Sequence, residues 1–206
     1  MRVSEDRYSR DLHRIDIAKR MITHEVRTRW ICMWTELSGC TVRNLYKSYV
    51  AGLPSAPKRR RGLPPTNPLV FVRNAALVDE GSVLAGLAYR FGLIPKGPMR
   101  NARKTLARLE VAEQLCRCYE LFRHVVPRAT FSMEQYMVLI FALAEAQEVR
   151  LGLCEGCRGV LLIDCLGRSR RKCVRCRQVQ SETAASENAP RSLPEMSDAV
   201  LQHSLF

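Results

Sequence analysis

Cys154-Glu155-Gly156-Cys157 and Cys173-Val174-Arg175-Cys176 stand fifteen residues apart. Two CxxC pairs at that separation match the spacing of a four-thiolate zinc site. The chemistry explains the spacing. Two residues between cysteines let the backbone turn so that both sulfurs meet one ion, and two such turns complete a tetrahedron. Gly156 and Gly159 relieve crowding around the first turn. Between the pairs, Val160 to Ile163 suits a short strand, Gly167 a turn and Lys172 to Val174 the return, so a zinc-ribbon hairpin is expected. Four thiolates close the coordination sphere and leave no position for water, which makes the expected Zn2+, one per chain, structural rather than catalytic. Four unrelated packed thiols or a redox CxxC are the competing readings. The second pair and the missing βαβ context oppose the redox one. Cys165, inside the loop, is a further thiol that could substitute for a ligand.

Basic residues crowd the same segment. Arg158, Arg168, Arg170, Arg171, Lys172, Arg175 and Arg177 face only Glu155 and Asp164 in sequence, and four thiolates around a divalent ion contribute a further −2. Two or three cations would neutralise that centre. Seven leave an excess suited to phosphate and guanine edges, since arginine offers a planar donor fork. A second basic run, Lys58-Arg59-Arg60-Arg61, is either a DNA-reaching arm or solvated charge in a linker.

Catalytic signatures are missing. No GxSxG, HExxH, Walker A or GxGxxG pattern occurs. His13, His24, His124 and His203 are scattered, and Cys116 and Cys118 fall about 200° apart on a helix, as packed thiols would. A non-enzymatic protein is expected.

The elements that must hold the cysteine module read as mainly α: a helical body with a helix-turn-helix-like N-terminal part and a small C-terminal four-cysteine zinc-ribbon module. Residues 1–52 form an N-terminal helical region. Ile15, Ala18, Ile22, Val26, Trp30 and Met33 recur at helical spacing and predict one continuous face, with a break at Ser38-Gly39 and a second helix closed by Gly52. Arg43, Asn44 and Lys47 would be the outward positions of that second helix, and Trp30 and Trp34 read as core. Residues 53–68 are a basic linker holding Pro54, Pro57, Pro64, Pro65 and Pro68. Residues 69–150 are a helical core. Asn67 with Pro68 marks a helix start, Gly92 a stop, Leu106 to Val126 a further helix, and Ser132 with Gln135 a capping box opening a helix apolar nearly all round. Residues 151–178 are the metal module. Residues 179–206, rich in Ser, Ala, Pro and Glu, read as a disordered tail.

The 206-residue chain carries 33 Lys+Arg against 20 Asp+Glu, a net +13, which favours polyanionic partners. The longest apolar run, Tyr136 to Ala144, is nine residues, far short of the ~20 a membrane span requires. The charged N-terminal stretch lacks the apolar core of a secretory signal, so a cytoplasmic protein with reduced cysteines is expected.

Several segments carry a family resemblance. Thr35-Glu36-Leu37-Ser38 followed by Leu45-Tyr46-Lys47 is similar to the T-x-L-S…L-Y-K segment of the FlhC family, the C subunit of the proteobacterial flagellar master transcriptional activator. Gly52, Pro54, Pro57-Lys58 and Gly62-Leu63-Pro64 resemble that family's proline-rich stretch, and Leu151-Gly152-Leu153-Cys154-Glu155-Gly156-Cys157-Arg158-Gly159 with Cys173 and Cys176 resembles its zinc module. The chain departs from the pattern at Pro68-Leu69 and Phe71-Val72, where tryptophans are usual, at Gln135 to Phe141, and at Arg158, where the family carries glycine. It therefore resembles a divergent member or paralogue. The resemblance implies a cytoplasmic activator that joins a small helical FlhD-type subunit, four D with two C, binds double-stranded promoter DNA of class II flagellar operons and recruits RNA polymerase. A zinc-stapled protein–protein adaptor and an RNA-binding zinc ribbon are the alternatives.

Overall fold

The computed structural model describes residues 5–54, 56–57, 60, 62–63, 65–167 and 171–187. Of the candidate DNA contacts, Lys58, Arg59, Arg61, Arg168 and Arg170 lie outside the described residues, as does the tail from 188 onward. Among the described residues the chain is mainly helical, with eight α-helices, one 3-10 turn and a two-stranded sheet.

The N-terminal part is three helices, α1 (Glu5–Thr23), α2 (Thr28–Thr35) and α3 (Gly39–Tyr49). The single long face predicted from Ile15 to Met33 is thus interrupted. Glu25 takes a left-handed φ of 58°, Val26 N–H donates to Met21 O at 3.0 Å, and Glu25 N–H to Ile22 O at 2.9 Å. These are the two bonds of a Schellman closure, formed here without glycine. Both helices still turn their apolar side inward. Ile17, Ala18, Met21 and Ile22 of α1 and Trp30, Ile31 and Trp34 of α2 are buried. Ser38 caps α3 by accepting Thr41 N–H at 3.1 Å, so Gly39 opens the helix rather than breaking it. The helix ends at Tyr49, before Gly52. Arg43, Asn44 and Lys47 are exposed, as expected of its outward positions.

The linker ends in a 3-10 turn, Pro68–Val72, with Asn67 accepting Leu69 N–H at 2.8 Å. The predicted start is real, but the turn lasts five residues because Asn74 caps a new helix, α4 (Ala75–Arg90), through Leu77 N–H at 2.9 Å. Gly92, at φ 69°, stops it, with Leu93 N–H returning to Ala88 O at 3.0 Å. The helix expected over Leu106 to Val126 is α6 (Leu109–Val125), preceded by a separate short helix, α5 (Ala102–Leu106).

At the centre lies α7 (Met133–Glu145), opened by the Ser132–Gln135 capping box and buried at ten of its thirteen residues. Phe141 stacks against Trp30 and Trp34, with centroids 5.9 and 5.6 Å apart and interplanar angles of 12° and 6°. The tryptophan pair is therefore core. One charge is sunk into this packing: Glu134, 1% exposed, accepts Arg27 N–H at 2.7 Å and pairs with the Arg27 guanidinium. The carboxylate thereby satisfies the amide just before α2 and fixes the angle at which α2 leaves α1.

The chain closes with β1 (Val149–Leu153), β2 (Val160–Asp164) and α8 (Val174–Glu187). The strands pair antiparallel, Val149 with Asp164 through Leu153 with Val160. This corrects the expected ribbon. The partner of β2 precedes the first cysteine pair, and Val174, assigned to a return strand, begins α8 instead. The helix also corrects the disordered reading from 179, as far as Glu187.

Two consequences can be measured. Glu134→Ala leaves the half-buried Arg27 without its carboxylate and should lower unfolding free energy by about 3 kcal/mol in denaturant titrations. Glu134→Gln, which keeps an acceptor for Arg27 N–H, should cost less. The second concerns pH. Burial lowers the His24 pKa below its ordinary 6.5, and Glu120 accepts from Arg20 at 2.7 and 3.0 Å and lies 3.3 Å from His24. Burial opposes ionisation of Glu120, but the Arg20 hydrogen bonds outweigh it and lower its pKa. The unfolded chain binds more protons than the native one as pH falls below 6.5, so stability is full above that value and declines below it. His24→Gln should flatten the decline between pH 6.5 and the onset of Glu120 protonation, read by thermal melts across pH.

Candidate metal centre

The strands of the hairpin are joined by a tight knuckle that carries the first two cysteines. Cys154 N–H donates to Gly159 O at 2.8 Å and Arg158 N–H to Cys154 O at 2.9 Å, which folds the loop so that the sulfurs of Cys154 and Cys157 point the same way. Arg158 takes φ 61°, the left-handed region where glycine is at ease. The second pair comes from the start of α8. Cys173 directly precedes the helix, its carbonyl accepting Arg177 N–H at 3.1 Å, and Cys176 sits in the first turn. Glu155 N–H donates to Arg171 O at 2.9 Å and Cys173 N–H to the Cys154 sulfur at 3.3 Å, tying the knuckle to the helix start.

All four Sγ atoms lie within 4.8 Å of one another, and Cys157 Sγ is 3.8 Å from Cys173 Sγ. A tetrahedron with metal–sulfur bonds of about 2.3 Å has edges of about 3.8 Å. The group could hold one metal ion with little adjustment. Gly156 is what allows this closeness: a Cβ there would stand 2.9 Å from Cys176 Sγ.

The protonation of the group points the same way. Hydrogen bonds from the Cys157 and Cys173 amides pull the Cys154 thiol down to about 6. Hydrogen bonds to Cys173 and Cys157 push Cys176 up to about 12. One thiolate forms readily and makes the next harder to form. Four thiolates together call for a cation between them. An ion held by all four sulfurs would cross-link the knuckle to the start of α8.

The other cysteines stay apart. Cys165 is exposed after β2 and outside the group. Cys116 and Cys118 are buried, and burial pushes their thiols up to about 12 and 11, as packed thiols behave. There is no disulfide among the described residues.

The module is docked on α4. Ser82 Oγ donates to Val78 O at 2.6 Å and accepts Leu162 N–H at 2.9 Å, while Gly81 admits Leu162 and Phe71 to within 3.2 and 3.3 Å of where its Cβ would be. Neither residue was marked by the sequence. Only the helical period of α4 could have put both on one side.

The basic candidates are scattered around this framework. Arg171 is exposed and makes an open pair with Glu155 at 3.6 Å. Arg158, Arg175 and Arg177 are exposed and Lys172 half-buried. Arg60, from the linker run, binds Glu25 at 2.9 Å and so buttresses the α1–α2 corner. Arg90 joins the module from α4, lining the same groove as Arg158 and Arg175, an approach invisible at 68 residues' separation. No helix among the described residues is long and apolar enough to cross a membrane. Neither a scan with protein-family models nor a search among curated proteins returns a match for this chain.

Protein purified without chelator should contain one metal ion per chain by elemental analysis. Cys157→Ser and Cys173→Ser should abolish it, and Cys165→Ser should leave it intact. Gly156→Ala should weaken metal retention against a competing chelator roughly tenfold or more, since overpacking of this kind costs ~1–3 kcal/mol.

Proposed function

We propose that the protein is a DNA-binding transcriptional activator subunit of FlhC type, stapled by one structural Zn2+ and acting with a small helical FlhD-type partner at class II flagellar promoters. The observation that carries this reading is the cationic loop and helix start around the second cysteine pair. Arg171, Lys172 and Arg177 bracket Cys173 and Cys176, and the Arg171 side chain is 78% exposed. Its pair with Glu155 is long and solvated, so it yields readily to a phosphate. Four thiolates in tetrahedral reach favour zinc among available ions, since soft sulfur ligands and that geometry select it. The exposed Arg43, Asn44 and Lys47 of α3 support a helix-turn-helix-like role for the N-terminal part. The FlhD-type subunit, the assembly of four D with two C, and recruitment of RNA polymerase come from the resemblance in the L-Y-K, proline-rich and cysteine segments.

The test is co-expression with an FlhD-type subunit and salt-titrated binding to a flagellar promoter fragment. Affinity should fall steeply with salt, with the slope counting neutralised phosphates. Replacing Arg170, Arg171 and Lys172 together by Ala should weaken binding and flatten the slope by about one for each lost phosphate contact, with zinc content and circular dichroism unchanged. Normal binding by the triple variant would remove this surface from the contact set. Absence of binding by the wild-type complex even at low salt would favour the adaptor reading, and preference for structured RNA over duplex DNA the RNA one.

A further inference from the structure

We infer that the groove between α4 and the metal module docks an acidic, apolar peptide segment of a partner protein. This goes beyond the promoter reading and assigns Arg158 and Arg175 to a protein contact instead of DNA.

The groove has a volume of about 680 Å³. Its floor is apolar, made by Val83, Gly86 and Leu87 of α4 and Val160 of β2, and it is open: Val83 is 41% and Val160 39% exposed. Tyr89, 61% exposed, stands at the edge. The direction of the strand sets the polarity of the groove. Leu162 meets α4 at Ser82 and Val160 meets it at Gly86, so β2 runs back along the helix. The Val160 end therefore lies toward Arg90, where Arg158 also enters from the knuckle, and Arg175 of α8 lines the same groove. Asp79, the one carboxylate of the lining, is at the opposite end. None of the three arginines has a carboxylate partner among the described residues.

Arg90 and Arg158 at one end of an apolar trough, with Arg175 also on its lining, call for a ligand with the opposite arrangement: apolar side chains for the floor and carboxylates clustered at one terminus. A duplex does not fit this description. Its phosphates are met by cations on an outward surface, and it has no side chain to fill an apolar floor. The exposed Val83 and Val160 are what a peptide would cover.

The experiment is selection from a random twelve-residue phage-displayed library on the full-length, metal-loaded chain, in parallel with the Arg90→Glu variant and with Val83→Ser. Both substitutions are at exposed sites, and metal content and circular dichroism establish that the variants are folded. The wild type should enrich peptides joining Leu, Phe or Trp to a terminal Asp/Glu cluster. A synthetic copy of the leading peptide should bind Arg90→Glu at least roughly tenfold more weakly, a loss of about 1.4 kcal/mol, and Val83→Ser more weakly too. No enrichment, enrichment without acidic bias, or equal binding to the variants would overturn the inference. So would a loss of duplex affinity in Arg90→Glu matching the loss of peptide affinity, which would make the basic end a DNA surface.

Discussion

A two-stranded hairpin in water is marginal at best, and the described residues C-terminal to α7 are hung on one. The β1–β2 pair persists because it is held at two places by unlike forces. Along its length, Leu162 N–H is satisfied by Ser82, and Gly81 lets strand and helix approach until Leu162 packs against the buried body. At its tip, Cys173 N–H reaches the Cys154 sulfur, and the four clustered cysteines could hold one metal ion between the knuckle and the start of α8. With either attachment missing, α8 has no fixed origin, since it makes few contacts with the helical body. The knuckle-to-helix tie is thus the constraint on which the groove, the basic loop and the direction of α8 all depend.

The first attachment is prepared by the rest of the fold. α4 can receive β2 only if its own position is fixed, and Glu80 does part of this by accepting Thr130 and Phe131 N–H at 2.8 and 2.9 Å, just before the α7 capping box. α7 in turn carries the Trp30 and Trp34 stack and the Glu134–Arg27 contact that sets α2. A chain of side chain-to-backbone hydrogen bonds therefore runs from the N-terminal helices through α7 and α4 to the metal module. Each bond satisfies a backbone amide that helix packing would otherwise leave orphaned.

Much of this was legible in the sequence, and the failures have physical reasons. The four ligands, the Ser132–Gln135 box, the Asn67 cap, the Gly92 stop and the buried tryptophans each carry a local chemical signature. The α1–α2 corner carries none, because Glu25 takes the left-handed position and the apolar period continues on both sides of it. β1 was hidden for a different reason. Val149 to Leu153 joins an apolar helix, and what makes it a strand is the knuckle, whose two ends leave antiparallel and force their flanks to pair. α8 has almost no apolar face. Its first turn is fixed by Cys173 and Cys176, and Gln, Glu and Ala carry it onward by propensity. Arg90 and Ser82 acquire meaning only from contacts across long sequence separations.

The charge distribution gives the last link. Residues 154 to 177 hold seven basic and two acidic side chains, a local +5 if the thiols are neutral. Four thiolates around a divalent ion would contribute −2 at the centre of this cluster, so a loaded metal would both close the hairpin-to-helix tie and lower the repulsion among the arginines. That permits cations at positions that geometry alone disfavours. Arg158 occupies a left-handed conformation that costs a non-glycine residue ~1–2 kcal/mol. Strain held at such a site points to a use for the side chain. Here the guanidinium enters the basic end of the groove, where glycine could supply no charge.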